Sequence, residues 1–340
     1  MEIKAFNYTP DDFLEISILL FDYINHDYVA ECIASVREQT LSRNNFELII
    51  LTDRPDASAC YKDFTSYLKC KIIFTGLMSV GESLLVGLKN SSGKIICPFD
   101  NDDFWKKERL EIIKNKFTAH NLVFLKNEIL PIDKSGKINS VKLFLTLNVP
   151  IKSADKDYIL SDQTPNFIKG RSLMHNSSSM AISREVLEST LYNYRNLYGL
   201  PDILFFFIAS INGGKMLYSE LKLTVYRTNN KNSLGKTDEL RLVKSFNVRE
   251  FQRIDFQNNL FPLLSVGSNS FLHDLAFMAN LSITMRSGNW KNSRKINRKD
   301  LVKGLMIAAR YRQQNFILLF LKYCCNRAIR IVMTMVQGGR

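Results

Sequence analysis

KIICPFDNDD, residues 94–103, runs an apolar strand straight into Asp100-Asn101-Asp102-Asp103. Side chains at i and i+2 beyond a strand end lie on the same side, so Asp100 and Asp102 can face one hard divalent cation. Mg2+ or Mn2+ bound in this way completes its shell with water and substrate phosphates. On a diphosphate it neutralises charge that develops on a leaving group. An acidic triplet alone is weak evidence, because acidic turns are frequent. The weight comes from what precedes this one.

Working back toward the N-terminus, ISILLFDYI at 16–24 and FELIILTD at 46–53 are apolar runs of the kind buried in parallel sheets, and KIIFTG at 71–76 is a third. Between them, Val29, Ile33 and Val36 have helical spacing, residues 56–67 read as helical, and Glu82 to Lys89 form a short helix stopped by Asn90–Gly93. Alternating strands and helices predict a mostly parallel α/β sheet whose ligands bind beyond the carboxyl ends of the strands. Asp22, Asp53 and Asp100 all stand at such ends. The alternative for Asp22 and Asp53 is that each merely caps the next helix.

Working forward, residues 116–137 read as strand and hairpin with a turn at Asp133–Gly136. MHNSSSMAISREVLEST, 174–190, goes from a polar turn to a short strand and then a helix from about Ser183. LPDILFFFIASINGG, 200–214, is an apolar helix opened by Pro201-Asp202, and 215–227 is a strand ending in Tyr226-Arg227. From 240 onward the periodicity is helical.

The stretches ISILLFDYINHDYVAECIASVREQT, FELIILTD and GLKNSSGKIICPFDNDDFWKKERLE together resemble the nucleotide-binding half of inverting family 2 glycosyltransferases of the GT-A fold. Tyr23, Ser35, Gln39-Thr40, Asp53, Gly87, Gly93, Asp100 and Asp102 fall on that family's motif positions. The match covers residues 15–113 well and 175–235 more thinly. The resemblance implies a catalytic domain over 1–238, with a nucleotide-sugar half at about 15–113 and an acceptor half at about 114–238. A helical C-terminal region over 239–340 follows. It also implies transfer of a sugar from a nucleoside diphosphate sugar, with UDP- or GDP-sugars favoured, to a glycan or lipid-linked acceptor. Asp53 would then contact the base, and Asp22, Tyr23 and Asn101 would lie near the nucleotide. Asp100 would face ribose and sugar, and Asp102 would hold Mn2+ or Mg2+ under the diphosphate. Asp202 would be the general base, taking a proton from the acceptor hydroxyl; its alternative is a plain N-cap. Arg227 would reach the diphosphate, or else be a surface arginine. His175 and Asn176 would stand on the acceptor side.

Three positions depart from the family pattern: Thr52 stands where a first strand-end Asp is common, Ser83-Leu84-Leu85-Val86 where Ala-Arg-Asn is common, and Asn229 where a His is common. Two other functions remain open on the residues. A non-catalytic relative would keep the fold as a binding or scaffold module. A nucleotidyltransferase would show a Gly-rich phosphate loop after its first strand, where this chain has Asp22-Tyr23.

Of 340 residues 46% are hydrophobic and 23% charged, which excludes a disordered chain. Net charge is +13, but twelve Lys/Arg against Asp300 alone fall between Ser287 and the end, leaving only +2 for the first 286 residues. Phe316 to Val336 is apolar but carries Lys322, Arg327 and Arg330, too many buried charges for a span at about 2.5–3.5 kcal/mol each. A helix lying in an anionic membrane surface fits that pattern. The alternative is a helix packed on the catalytic domain or on a second copy of the chain, as in a homodimer. No basic-aromatic interleaving or module points to nucleic acid. Cys32, Cys60, Cys70, Cys97, Cys324 and Cys325 form no CxxC pair and read as reduced thiols. With no secretory leader in MEIKAFNYTPDDFLE, the expected place is the cytoplasm, peripheral on the inner face of the cell membrane.

Overall fold

Parallel strands pair only when their apolar sides are covered on both faces, and four such strands form the first half of the sheet. They are β2 (Ile16–Asp22), β3 (Phe46–Thr52), β4 (Cys70–Phe74) and β5 (Ile95–Asp100). β1 (Glu2–Phe6) runs antiparallel along the outer edge of β4. On the other side lie β6 (Phe104–Trp105), β7 (Leu122–Asp133), β8 (Asp157–Leu160), β9 (Met180–Ser183) and β10 (Lys215–Thr228). The ten strands run in the order β1-β4-β3-β2-β5-β9-β7-β10-β6, with β8 paired to β10. β9 is antiparallel to both β5 and β7, so it joins the parallel block to the parallel pair β7–β10.

This computed structural model describes residues 2–7, 14–23, 26–65, 67–76, 78–133, 157–160, 173, 175–189, 201–228, 281 and 298–310. The chain divides into two compact units. One comprises Met1–Gln163 and Arg171–Lys236, the other Thr164–Gly170 and Thr237–Arg340. The second unit contains a helix at Arg298–Arg310 (α7). Phe316–Val336, Asn229, Cys324 and Cys325, and the turn expected at Asp133–Gly136 past its first residue, lie outside the described residues. Among the described residues no helix is long and apolar enough to cross a membrane. Cys32, Cys60, Cys70 and Cys97 are free thiols.

Helix α1 (Val29–Arg37) sets Cys32, Ile33 and Val36 against Ile16, Ile18, Leu20, Leu48 and Ile50 on one face of the sheet. The opposite face takes α3 (Val80–Lys89). There a Cβ on Gly87 would stand 3.1 Å from both Leu19 and Leu51. This helix begins earlier than the sequence suggests. Ser79 and Glu82 form a capping box, which makes Glu82 the third helical residue rather than the first. Helix α2 (Ala57–Thr65) follows β3 as expected.

Two elements differ from the sequence reading. Residues 116–120 are not strand but the end of α4 (Arg109–His120). Leu110, Ile113 and Phe117 recur at i, i+3 and i+7 and are all buried. Asn121, at φ 52, stops the helix in the left-handed region, and β7 starts at the next residue. The edge strand β1 was not foreseen, because five residues with one exposed face carry little periodic signal.

Close approach of the backbones where β2 and β5 begin explains Gly93. Its amide donates to Ser17 Oγ at 2.8 Å, and a Cβ there would lie 2.5 Å from the backbone carbon of Ile16. Beside it the buried Glu47 accepts from Ser17 Oγ at 2.7 Å and from Ser92 N at 2.5 Å. Gly93→Ala is expected to destabilise the chain by about 1–3 kcal/mol, the usual cost of overpacking, read as a lower urea midpoint at unchanged slope.

Candidate active site

Parallel register fixes where the strand-end acids lie. Asp22 pairs with Thr52 and Phe21 with Asp100, so β2, β3 and β5 present their carboxyl ends along one edge. Asp22 is wholly buried there. Its Oδ2 accepts from Tyr61 Oη at 2.6 Å and from Thr52 Oγ1 at 3.0 Å. Its Oδ1 accepts from Asn101 Nδ2 at 3.0 Å and lies 2.8 Å from His26 Nδ1. His26 Nε2 in turn lies 3.4 Å from Asp53 Oδ1. Both carboxylate oxygens of Asp22 are therefore engaged by the protein. Thr52, a departure from the family pattern, supplies one of these donors. An aspartate in its place would set two carboxylates face to face. Burial, then the Asp22 carboxylate, push the Tyr61 hydroxyl well above its usual range, so it stays a donor. Tyr23 Oη lies 2.8 Å from Ser83 Oγ and 2.9 Å from Thr75 Oγ1, and burial raises its pKa as well.

The acidic turn is held on every side. Asp100 Oδ2 accepts from Ser177 Oγ at 2.8 Å and Ser178 Oγ at 3.4 Å, while its amide donates to Ser178 Oγ at 3.0 Å. Burial raises the pKa of Asp100 and the two serine hydroxyls oppose that rise. Asp103 is 1% exposed; its Oδ2 accepts from Asn176 Nδ2 at 2.7 Å and its Oδ1 from the Arg227 amide at 3.1 Å. Burial, then the neighbouring Asp102 and Asp100 charges, hold the Asp103 carboxyl well above the ordinary carboxylate range. Asp102, like Asp100, is half-buried, and its carbonyl accepts from Arg227 Nε at 3.2 Å.

Arg227 does not stand at the surface. It is 3% exposed, with Nη2 2.5 Å from Glu31 Oε2 and its guanidinium 4.1 Å over the Tyr28 ring. It clamps the acidic turn to α1. The Ser35/Gln39-Thr40 motif does the same from the other side. Ser35 Oγ accepts from the Trp105 amide at 3.2 Å. Gln39 Nε2 donates to Lys106 O at 2.9 Å and its Oε1 accepts from the Leu110 amide at 2.9 Å. Thr40 Oγ1 donates to Glu111 Oε2 at 2.6 Å.

A short turn of 3-10 helix, Ser177–Ser179, faces the acids from β9. Just before it, the Asn176 amide donates to Asp202 Oδ2 at 3.0 Å. Asp202 lies in the first turn of α6 (Pro201–Ile211), where the helix N-terminus favours its ionised form. Lys126, buried on β7, donates to Ser179 Oγ, and Ser179 Oγ donates to Asn176 O at 2.6 Å. Burial pulls Lys126 down to about 8 despite the charges of Glu128, Asp202 and Asp103. His175 lies edge-on to Tyr226 at 5.4 Å between centroids, and burial together with the Lys126 charge pulls it down to about 4. The sheet continues from β9 into α5 (Arg184–Glu188), whose first residue donates from Nε to Gly93 O at 2.7 Å.

The structure thus gathers Asp22, Asn101, Asp53, Asp100, Asp102, Asp103, Asn176 and Asp202 along one sheet edge. Sequence reasoning missed His26, Asp103, Lys126, Ser177 and Ser178. Asp22 and His26 stand four apart across a turn, and three serines follow Asn176; these spacings were the available signals. Among the described residues no group of three or more His, Cys, Asp or Glu side chains is disposed to hold a metal ion.

The sheet order and flanking helices are those of the GT-A glycosyltransferase fold. Residues 17–191 match the model of glycosyl transferase family 2, and the chain belongs to that family. It is 28% identical over 181 residues to the minor teichoic acid biosynthesis protein GgaB of Bacillus subtilis (strain 168), covering 50% of this chain and 19% of GgaB. It is 26% identical over 130 residues to an uncharacterized glycosyltransferase of Nostoc sp., covering 36% of this chain and 39% of that one. The chain therefore spans well under half the length of these curated relatives. Among solved structures it is similar to S. aureus TarS 1–349 in complex with UDP-GlcNAc, with a TM-score of 0.57 at 15% identity over 88% of this chain and 81% of that one. The same TarS segment in complex with UDP gives a TM-score of 0.52 at 14% identity, covering 88% and 92%. At such identity the likeness is one of fold.

His175 offers a check on this geometry. Its folded pKa lies below the unfolded value of 6.5, so the unfolded chain binds more protons between about pH 4 and 6.5. Stability contributed by neutral His175 is present above that window and falls as pH drops through it. His175→Gln is expected to flatten the pH dependence of the urea midpoint between pH 6.5 and 4.

Proposed function

We propose that the chain transfers a sugar, with inversion, from a nucleoside diphosphate sugar to a hydroxyl of a glycan or lipid-linked acceptor. A UDP-sugar is the favoured donor, given the ligands of the TarS structures, with a GDP-sugar next. The name of GgaB suggests a wall polymer as the class of acceptor. The observation that carries the proposal is the single edge on which the DNDD turn and Asp202 meet, tied to each other through Asn176.

In the reaction, Asp202 accepts the proton of the acceptor hydroxyl as that oxygen attacks the anomeric carbon. The bond from that carbon to the diphosphate oxygen breaks, and the nucleoside diphosphate leaves with the bonding pair. Asp53, oriented by His26, contacts the base, with Tyr23 beside it. Asp100, held by Ser177 and Ser178, faces the ribose and sugar. Asn101 and Asp22 fix the turn beneath them. Arg227, drawn inward by Glu31, supports the turn instead of reaching the phosphates. His175, neutral at physiological pH, and Asn176 border the acceptor side.

The donor set suits Mn2+ or Mg2+. Such ions are commonly held by one or two carboxylates with water and phosphates rather than by an all-protein cage. Asp102, half-buried like Asp100, is the acid of the turn that falls on the family's metal-binding position. A metal held by Asp102 would supply charge neutralisation on the diphosphate. We place the catalytic domain at 1–238 and a helical region at 239–340. The one-signed charge between Ser287 and the end suits peripheral attachment to the inner face of the cell membrane, where a lipid-linked acceptor would be met.

A thermal-shift screen of UDP-, GDP- and dTDP-sugars with and without Mn2+ tests the proposal. One donor at a hundred times its dissociation constant should stabilise the chain by about 2.7 kcal/mol. Asp102→Ala should lose the Mn2+-dependent part of that shift. Asp202→Asn should keep donor binding and lose about 100-fold to 10,000-fold in transfer. If no donor shifts the melting curve, the transferase reading gives way to a non-catalytic one.

A further inference from the structure

Asn176 has a backbone that L side chains rarely adopt, φ 66 and ψ 99. It is 6% exposed, and its Oδ1 is buried without a hydrogen-bond partner among the described residues. Nothing in packing alone calls for a polar residue there. Its two donors, however, go to the two halves of the site. The main-chain N–H points to Asp202 Oδ2 at 3.0 Å and the side-chain Nδ2 to Asp103 Oδ2 at 2.7 Å. Its carbonyl is in turn fixed by Ser179 Oγ at 2.6 Å, and Ser179 is held by the buried Lys126. Residues kept in unfavourable conformations persist where the surroundings over-determine them, and they cluster at working sites.

We infer that Asn176 is a positioning residue for the transfer, a direct link that sets Asp202 at a fixed separation from the acidic turn. The positive φ turns its N–H toward α6 while the side chain reaches back to the turn. Asn tolerates positive φ better than most L residues because its short polar side chain bonds locally, which accounts for Asn at this place. The inference rests on the transferase reading, since the separation it fixes is that between the base and the sugar's leaving group. Asn176 itself need touch neither substrate.

The test uses the full chain, UDP-GlcNAc with Mn2+ as probe, water as the hydroxyl that takes the sugar, UDP release as the rate of that transfer, and calorimetry for donor affinity. Should UDP-GlcNAc not be the donor, the sugar giving the largest thermal shift replaces it. Asn176→Gly keeps the positive φ and the N–H but removes the link to Asp103. Its kcat should fall about tenfold or more while the donor dissociation constant stays within about threefold. N176D sets a carboxylate against Asp103 and should lose at least as much. The double variant N176D/D103N reverses donor and acceptor across the same gap, and it should recover much of what N176D loses. Circular dichroism establishes that each variant folds; if Asn176→Gly does not, the N176D and N176D/D103N pair decides. Wild-type kcat in Asn176→Gly, or no recovery in the double variant, overturns the inference and leaves the transferase reading intact. A wild-type chain that neither binds nor turns over any UDP-, GDP- or dTDP-sugar overturns both.

Discussion

Two buried carboxylates, Asp22 and Asp103, impose the constraint on which this site is built. An ionisable group removed from water must be hydrogen-bonded or it costs several kcal/mol. Both acids meet that demand with donors from remote parts of the chain. Asp22 draws on Thr52, Tyr61, His26 and Asn101, and Asp103 on Asn176 and Arg227. Satisfying the two acids therefore ties β2, β3, α2, the acidic turn, the 175–179 segment and β10 into one arrangement. The exposed pair Arg54–Asp56 is just as short at 2.7 Å, yet a solvated pair of this kind contributes little. Burial, not bond length, separates the two cases.

Rigidity at the turn follows. Trp105 stacks on Phe99 with centroids 4.0 Å apart, and Arg109 lies 4.0 Å over the Trp105 ring. Trp105 Nε1 donates to Ser178 O at 2.9 Å and Arg109 Nη2 to Met180 O at 3.0 Å. The segment just after the acids is thus pinned both to the core and to β9. A turn supported in this way need not reorganise when charge arrives beside it, which is the condition for electrostatic preorganisation.

The parallel block was legible from the sequence because its strands are buried on both faces and read as unbroken apolar runs, as in Phe46–Thr52. The strand-end acids were legible for the same reason: a carboxylate at the end of such a run stands out. What the sequence hid is which way each polar group points. Arg227 lies at the end of a strand and reads as a diphosphate contact or a surface charge, but Glu31 and Tyr28, nearly two hundred residues earlier, draw it inward. Helix α4 was concealed because Phe117, Leu122 and Phe124 look like one β-rich run until the left-handed Asn121 is known to divide them. Ser177 and Ser178 stand in a run of three serines that does not say which acid they meet. Their role exists only through long-range pairing.

That pairing follows from the direction of one four-residue strand. β9 runs antiparallel to β5, with Ser183 opposite Ile95 and Ile182 opposite Ile96. Continuing that register toward the carboxyl end of β5 brings Ser178 level with Asp100, where the Asp100 amide meets Ser178 Oγ. β9 is also antiparallel to β7, with Met180 opposite Lys126, so the residues preceding it lie beside Lys126 as well. Were β9 parallel to β5, its leading residues would fall at the amino ends of the strands, beside Glu47 and Gly93, and Asn176 could reach neither Asp103 nor Asp202. The reversal of chain direction at β9 is thus what lets a later stretch of the same unit supply the other half of a site that the parallel block begins.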